Sequence, residues 1–121
     1  MIKAIFFDVD GTLVPSGGQT LPEETLAALQ TLRSNGIRLF VATGRHISML
    51  DEIRAQFEFD GYATMNGQHC TCSGRPVACN PIPPEGVREI VDAARTEQFS
   101  CIFLEAEELW TNMSNAAAHS F

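Results

Sequence analysis

The chain has 121 residues, 45% of them hydrophobic, an ordinary balance for one modest globular domain or part of a larger one. A net charge of −7 argues against nucleic acid or an anionic membrane surface as the main partner. No apolar run approaches the roughly 20 residues of a membrane span, and Asp8 and Asp10 interrupt the first apolar run with no small-residue cleavage site after it, so the expected location is cytoplasmic.

In chain order, Ile2–Phe7 is rich in β-branched and aromatic residues and too short for a helix, which predicts a buried strand. Asp8 then falls where the strand leaves the sheet, Asp10 follows at i+2, and Gly11 permits the tight departure. The loop Pro15-Ser16-Gly17-Gly18-Gln19 leads into a helix over 22–34, with Thr20 as N-cap, Leu26, Leu29 and Leu32 on one face, and Asn35-Gly36 as its stop. Ile37–Ala42 predicts a second strand ending in Thr43-Gly44-Arg45. A second helix is expected near 46–57 and a third strand over Gly61–Met65, closed by Asn66-Gly67. Strand, helix, strand, helix, strand predicts half of a doubly wound α/β fold. After Gly67 the pattern changes. His69–Cys72 and Pro76–Cys79 around Ser73-Gly74-Arg75 predict a hairpin, residues 85–98 a helix, and Cys101–Leu104 a further strand.

Ligands bind beyond the carboxyl ends of strands in open α/β sheets, and two acids placed there suit an oxygen-seeking cation of the Mg²⁺ type. The run Asp8-Val9-Asp10-Gly11-Thr12-Leu13 closing an apolar strand resembles the DxDGT signature of the haloacid-dehalogenase-like phosphohydrolases. The resemblance implies that Asp8 is the nucleophile that takes the phosphoryl group as an aspartyl-phosphate. It also implies that Asp10 protonates the leaving oxygen and then activates water. Mg²⁺ would be held by the Asp8 carboxylate and the backbone carbonyl of Asp10. Family members that attack carbon generally lack the second acid, so the resemblance with Asp10 in place implies phosphoryl transfer.

Thr43-Gly44-Arg45 is similar to the second motif of that family, in which a hydroxyl and the following backbone N–H grip the transferring phosphoryl oxygens. Arg45 has two readings, a bidentate contact to substrate phosphate or a pair with a surface acid. His46 reads as a first-turn helix residue rather than a catalyst. The interval between Asp8 and Thr43 holds only a loop, a helix and a strand, so no cap domain fits there. Ala42-Thr43-Gly44-Arg45 and Asn66-Gly67 resemble the Cof-type subgroup, which places its α/β cap after the third core strand. The resemblance thus implies a Rossmannoid half-core over 1–67 and the start of an α+β cap over 68–121. It implies a Mg²⁺-dependent phosphatase of sugar phosphates or other small phosphorylated metabolites.

The family's later motifs, a bracing Lys and an acidic pair, have no match. The only Lys is Lys3, and Glu105, Glu107 and Glu108 lack the Gly-Asp setting. The expectation is therefore an N-terminal fragment or a shortened member, weak or inactive alone, with a non-catalytic phosphate- or protein-binding module as the alternative. Cys70, Cys72, Cys79 and Cys101 lack the paired spacing of a zinc site and read as free thiols of a reducing compartment. In the family's strand order the first strand would be left as an open apolar edge. Self-association through that edge is expected, helped by uncovered Val87, Ile90, Ile102 and Leu104.

Overall fold

The computed structural model describes residues 1–112 as two compact units, Met1–Asn80 and a second beginning at Pro81. The first unit is built on a five-stranded sheet. Its strands are β1 (Ala4–Phe7), β2 (Arg38–Ala42), β3 (Gly61–Thr64), β4 (His69–Cys72) and β5 (Arg75–Cys79), side by side in that order. β1, β2 and β3 run parallel, with Phe7 beside Val41 and Ala42 beside Ala63. β4 then pairs antiparallel to β3, and β5 to β4. Helix α1 (Glu23–Ser34) connects β1 to β2; a 3₁₀ turn, Ile47–Leu50, and helix α2 (Asp51–Gln56) connect β2 to β3.

Period-2 alternation in the strands decides which side is core. Ile5 and Phe7 of β1, Leu39 and Val41 of β2, and Tyr62 of β3 join Leu26, Leu29 and Leu32 of α1 and Leu50, Ile53 and Phe57 in one apolar cluster. Leu29, Leu39, Val41, Leu50 and Ile53 are fully buried there; each such side chain contributes roughly 1.5–3 kcal/mol. Both helices therefore cover the same sheet face. The opposite face carries Phe6 and Phe40, neighbours in register, whose rings stack at 4.8 Å. Arg38 lies over the Phe40 ring at 5.1 Å, while Phe6 remains 63% exposed.

Two residues pin the strand register. Asp60 donates its N–H to the Leu39 carbonyl and accepts the Leu39 N–H on its carboxylate, both at 2.8 Å, which fixes the entry of β3 beside β2. Gly61 lets the hairpin approach: a Cβ there would stand 2.3 Å from the Thr71 carbonyl oxygen and 3.0 Å from the Phe40 ring. The hairpin expected after Gly67 thus forms, and it extends the core sheet. The change of pattern near residue 68 is a change of strand direction, while the compact units divide between Asn80 and Pro81.

Helix α1 starts differently from expectation. Thr20 does not cap it; Pro22 occupies the cap position, and its carbonyl accepts the Leu26 N–H at 3.0 Å. The preceding segment is held instead by Gln56, whose carboxamide accepts the Leu21 N–H and donates to the Gln19 carbonyl. The helix ends as expected, with Gly36 left-handed (φ +77°) and its N–H on the Arg33 carbonyl. The single helix expected near 46–57 is broken into the 3₁₀ turn and α2, because His46 caps the turn with Nδ1 accepting the Ser48 N–H.

The second unit contains α3 (Pro84–Glu97) and a hairpin of β6 (Ile102–Leu104) and β7 (Leu109–Thr111). Gln98 ends α3 in a left-handed conformation. Asn112 closes the base of the hairpin, accepting the Cys101 N–H and donating to the Phe99 carbonyl. β7 was not anticipated, since three residues after an acidic turn carry almost no periodic signal. Ile90, Leu104, Leu109 and Trp110 are exposed on this unit, whereas Val87 and Ile102 are half-buried.

Candidate active site

The chain turns at Val9. Its carbonyl accepts the N–H groups of Thr12, Leu13 and Val14 at 3.0–3.2 Å, and Gly11, left-handed at φ +77°, donates to the Val14 carbonyl. Val9, Leu13 and Val14 are driven into the core by this turn, and Asp8, Asp10, Gly11 and Thr12 are left at the surface. Alternating burial thus places both acids at the carboxyl edge of the sheet. Asp8 stands one residue past β1, and Thr43 one residue past β2. The parallel register of these neighbouring strands brings the two motifs to the same edge, with the Thr43 N–H on the Ala63 carbonyl of β3.

Thr43 is buried, and its hydroxyl accepts the Arg45 N–H at 3.1 Å. From this turn Arg45 reaches across to the first motif. Its Nε donates to Asp10 Oδ2 at 3.0 Å and its Nη2 to Oδ1 at 2.7 Å, a two-pronged ion pair. The same guanidinium donates to the Gly18 carbonyl at 3.0 Å and to Gln19 Oε1 at 3.2 Å. Gly17 adds a backbone N–H to Asp10 Oδ1 at 2.9 Å. Of the two readings of Arg45, the structure shows the pair with an acid, and that acid is Asp10.

Electrostatics follow from these contacts. The Arg45 hydrogen bonds, and after them the Gly17 N–H, hold the Asp10 carboxyl down at about 2 against an ordinary 3.8, outweighing the small cost of burial. Arg45 is raised in turn, chiefly by Asp10 and to a small extent by the charge of Asp8. His46 is buried beside this turn and keeps its Nδ1 on Ser48. It serves as the cap of the 3₁₀ turn, just before the helical residues.

A hard cation is accommodated in part. Both side-chain oxygens of Asp10 are taken by Arg45 and Gly17, which leaves its backbone carbonyl and the exposed Asp8 carboxylate as oxygen donors. Mg²⁺ commonly takes one or two protein oxygens and completes its shell with water and phosphate. Among the described residues no three His, Cys, Asp or Glu side chains converge on a common point. Cys70, Cys72, Cys79 and Cys101 stand unbridged. Among the described residues no helix is long and apolar enough to cross a membrane.

Sequence reasoning missed the partners of Arg45. Gly17, Gly18 and Gln19 read only as a polar loop, and nothing local marks Gln19 as a hydrogen-bond acceptor. Asn66 read as the close of β3 and, with Gly67, as part of the subgroup resemblance; nothing in the sequence showed that its carboxamide lies against Gly44.

Residues 5–120 match the family model of haloacid dehalogenase-like hydrolases. An HMP-PP phosphatase of Klebsiella pneumoniae is 32% identical over 102 residues, 83% of this chain and 37% of that protein. A solved structure of a hypothetical protein from Geobacillus kaustophilus superposes with a TM-score of 0.88 at 28% identity, covering 100% of this chain and 50% of that one. The sugar phosphatase BT4131, described as of HAD subclass IIB, superposes with a TM-score of 0.74 at 35% identity over 90% of this chain and 43% of that one. The chain spans about two fifths of the length of the curated relatives it matches. With a family match across nearly its whole length, and with neighbouring parallel strands that bring Asp8 and Thr43 to one edge, this chain belongs to the haloacid dehalogenase-like hydrolases.

Proposed function

We propose that this chain carries the nucleophile and the phosphoryl grip of a cytoplasmic, Mg²⁺-dependent phosphatase acting on small phosphorylated metabolites. The observation that carries the reading is the placement of Asp8 and Thr43 one residue past adjacent parallel strands, with Arg45 crossing between the two motifs. An Asp8 oxygen attacks phosphorus, the bond to the leaving oxygen breaks, and that oxygen takes a proton. Water then cleaves the aspartyl-phosphate and regenerates Asp8. The Thr43 hydroxyl and the backbone N–H of Gly44 hold the non-bridging oxygens, while the Arg45 N–H stays on the Thr43 hydroxyl and orients it. Mg²⁺, held by the Asp8 carboxylate and the Asp10 carbonyl, would neutralise developing phosphoryl charge.

Asp10 is the proton carrier in this reading. Held at about 2 by Arg45, its carboxyl is ionised at neutral pH and accepts a proton rather than donating one. Donation to the leaving oxygen requires a protonated Asp10, which the Arg45 fork opposes. In this reading an anionic substrate competes for the fork, and its negative charge beside Asp10 raises the carboxyl so that it takes a proton from water before passing it on. The sugar phosphatase and the HMP-PP phosphatase among the relatives support a small phosphorylated substrate. Residues 68–121 are read as the start of an α+β cap, its first hairpin continuing the core sheet and its separate compact unit beginning at Pro81. The test is metal-dependent turnover of an aryl phosphate by the protein and by Asp8→Asn; full activity in the variant excludes Asp8 as nucleophile.

One observation favours a second reading, a non-catalytic module that binds phosphate or a protein partner. Lys3 lies at the far end of β1 from Asp8, and no third acid joins Asp8 and Asp10 among the described residues. Phosphate binding without any metal-dependent turnover would select this reading.

A further inference from the structure

We infer that Asn66 is a positioning residue for the turn Thr43-Gly44-Arg45, a role that rests on the phosphoryl-gripping reading of that turn. Directly after β3 the backbone takes three consecutive left-handed residues: Met65 at φ 50°, Asn66 at φ 56° and Gly67 at φ 85°. Only glycine is indifferent to this region, and asparagine tolerates it better than most side chains. Strained backbone persists where surrounding structure over-determines it, and it clusters at functional sites.

Here the strained turn determines something specific. It aims the Met65 N–H at the Arg45 carbonyl and the Asn66 N–H at the Thr43 carbonyl, both at 3.1 Å. The carbonyls on either side of Gly44 are thereby tied to β3, which already holds the Thr43 N–H through Ala63. The Asn66 carboxamide fills the remaining space. A Cβ on Gly44 would stand 3.2 Å from Asn66 Oδ1 and 3.8 Å from its Cγ. Gly44 is therefore fixed from three sides by 63–66, and its N–H direction is set by a neighbouring strand's turn rather than by its own local sequence. An offset of about 1 Å in such a group is enough to cost on the order of a hundredfold in a phosphoryl-transfer site.

The experiment uses the isotope-labelled chain, titrated with inorganic phosphate in the presence of Mg²⁺ and read on the backbone amides of Gly44 and Arg45. Asn66→Gly keeps the left-handed region accessible but releases the restraint and removes the carboxamide. It is expected to melt within a few degrees of the parent and to bind phosphate at least about tenfold more weakly. Gly44→Ala is expected to cost less in the Asn66→Gly background than alone, since the atoms its Cβ meets are gone. Parent-like phosphate affinity in Asn66→Gly, or strict additivity of the two substitutions, overturns the inference. If Asn66→Gly does not fold, Asn66→Asp and Asn66→Ala replace it. Asp retains the left-handed tolerance and should leave the Gly44 amide position native, whereas Ala should move it; equal positions overturn the inference. Phosphate that leaves both amides of the parent chain unmoved refutes the gripping reading itself, and this role with it. A parent that responds beside an unaffected Asn66→Gly refutes this role alone.

Discussion

Arg45 holds Asp10 by both carboxylate oxygens, at 3.0 and 2.7 Å, from a side chain that is only 9% exposed. The pair joins the two motifs at the sheet edge and leaves the Asp8 carboxylate facing solvent. Removing the guanidinium in Arg45→Ala is expected to return the Asp10 carboxyl from about 2 towards its ordinary 3.8, read from its carboxyl resonance during a pH titration. A carboxyl that stays near 2 in the variant would transfer the cause to Gly17.

The same pair sets a pH window. The folded carboxyl lies below the unfolded one, so its contribution to stability is fully present above about 4 and is lost as pH falls through about 2. The stability difference between the parent and Arg45→Ala should be constant near neutrality and should narrow between those limits in denaturant melts. With Asp10 39% exposed, the loss should also shrink in high salt. A difference that widens on acidification would contradict the assignment.

Turnover of an aryl phosphate by this 121-residue chain should be feeble, because among the described residues Asp8 and the Asp10 carbonyl supply only two metal oxygens and the single Lys, Lys3, lies at the other end of β1. Whatever Mg²⁺-dependent turnover is measured should fall by more than about a hundredfold in Asp8→Asn, which removes the covalent route. Vigorous activity of the purified chain would mean that the needed residues have been misjudged.

Self-association should proceed through β1, which is paired on one side only among the described residues and carries the exposed Phe6 and Ile2 beside it. Light scattering should report oligomers, and Phe6→Lys should shift them towards monomer by placing a charge on that strand. A compact monomer with a cooperative melt in the parent chain would sink this expectation.

Gly61→Ala should destabilise the sheet by roughly 1–3 kcal/mol or more, since backbone at 2.3 Å cannot move aside as a flexible side chain can. Urea melts followed by hydrogen exchange should show the loss first in β3 and β4, whose pairing runs through Gly61 and Cys72. Unchanged protection of β4 would show that the hairpin is not held by this close approach.

The sequence by itself determined the parallel core and its edge. Apolar runs of strand length, leucines at helical spacing, and glycines at 11 and 36 act within a few residues, where backbone sterics and periodic burial decide the outcome. Asp8 and Thr43 were legible as residues that close two strands for the same reason, while the roles proposed for them came from the resemblance of Asp8–Leu13 and Thr43–Arg45 to the family's motifs. What only the tertiary structure decided are choices among equivalent polar partners far apart in the chain. Arg45 could have met any nearby anion and met Asp10. Leu21 took Gln56 in place of a Thr20 cap, and the hairpin after Gly67 joined the core sheet because Gly61 leaves room for it. Asn66 belongs with these: the sequence marks it as a strand-closing turn that resembles a subgroup motif, and its contact with Gly44 exists only once β2 and β3 lie side by side.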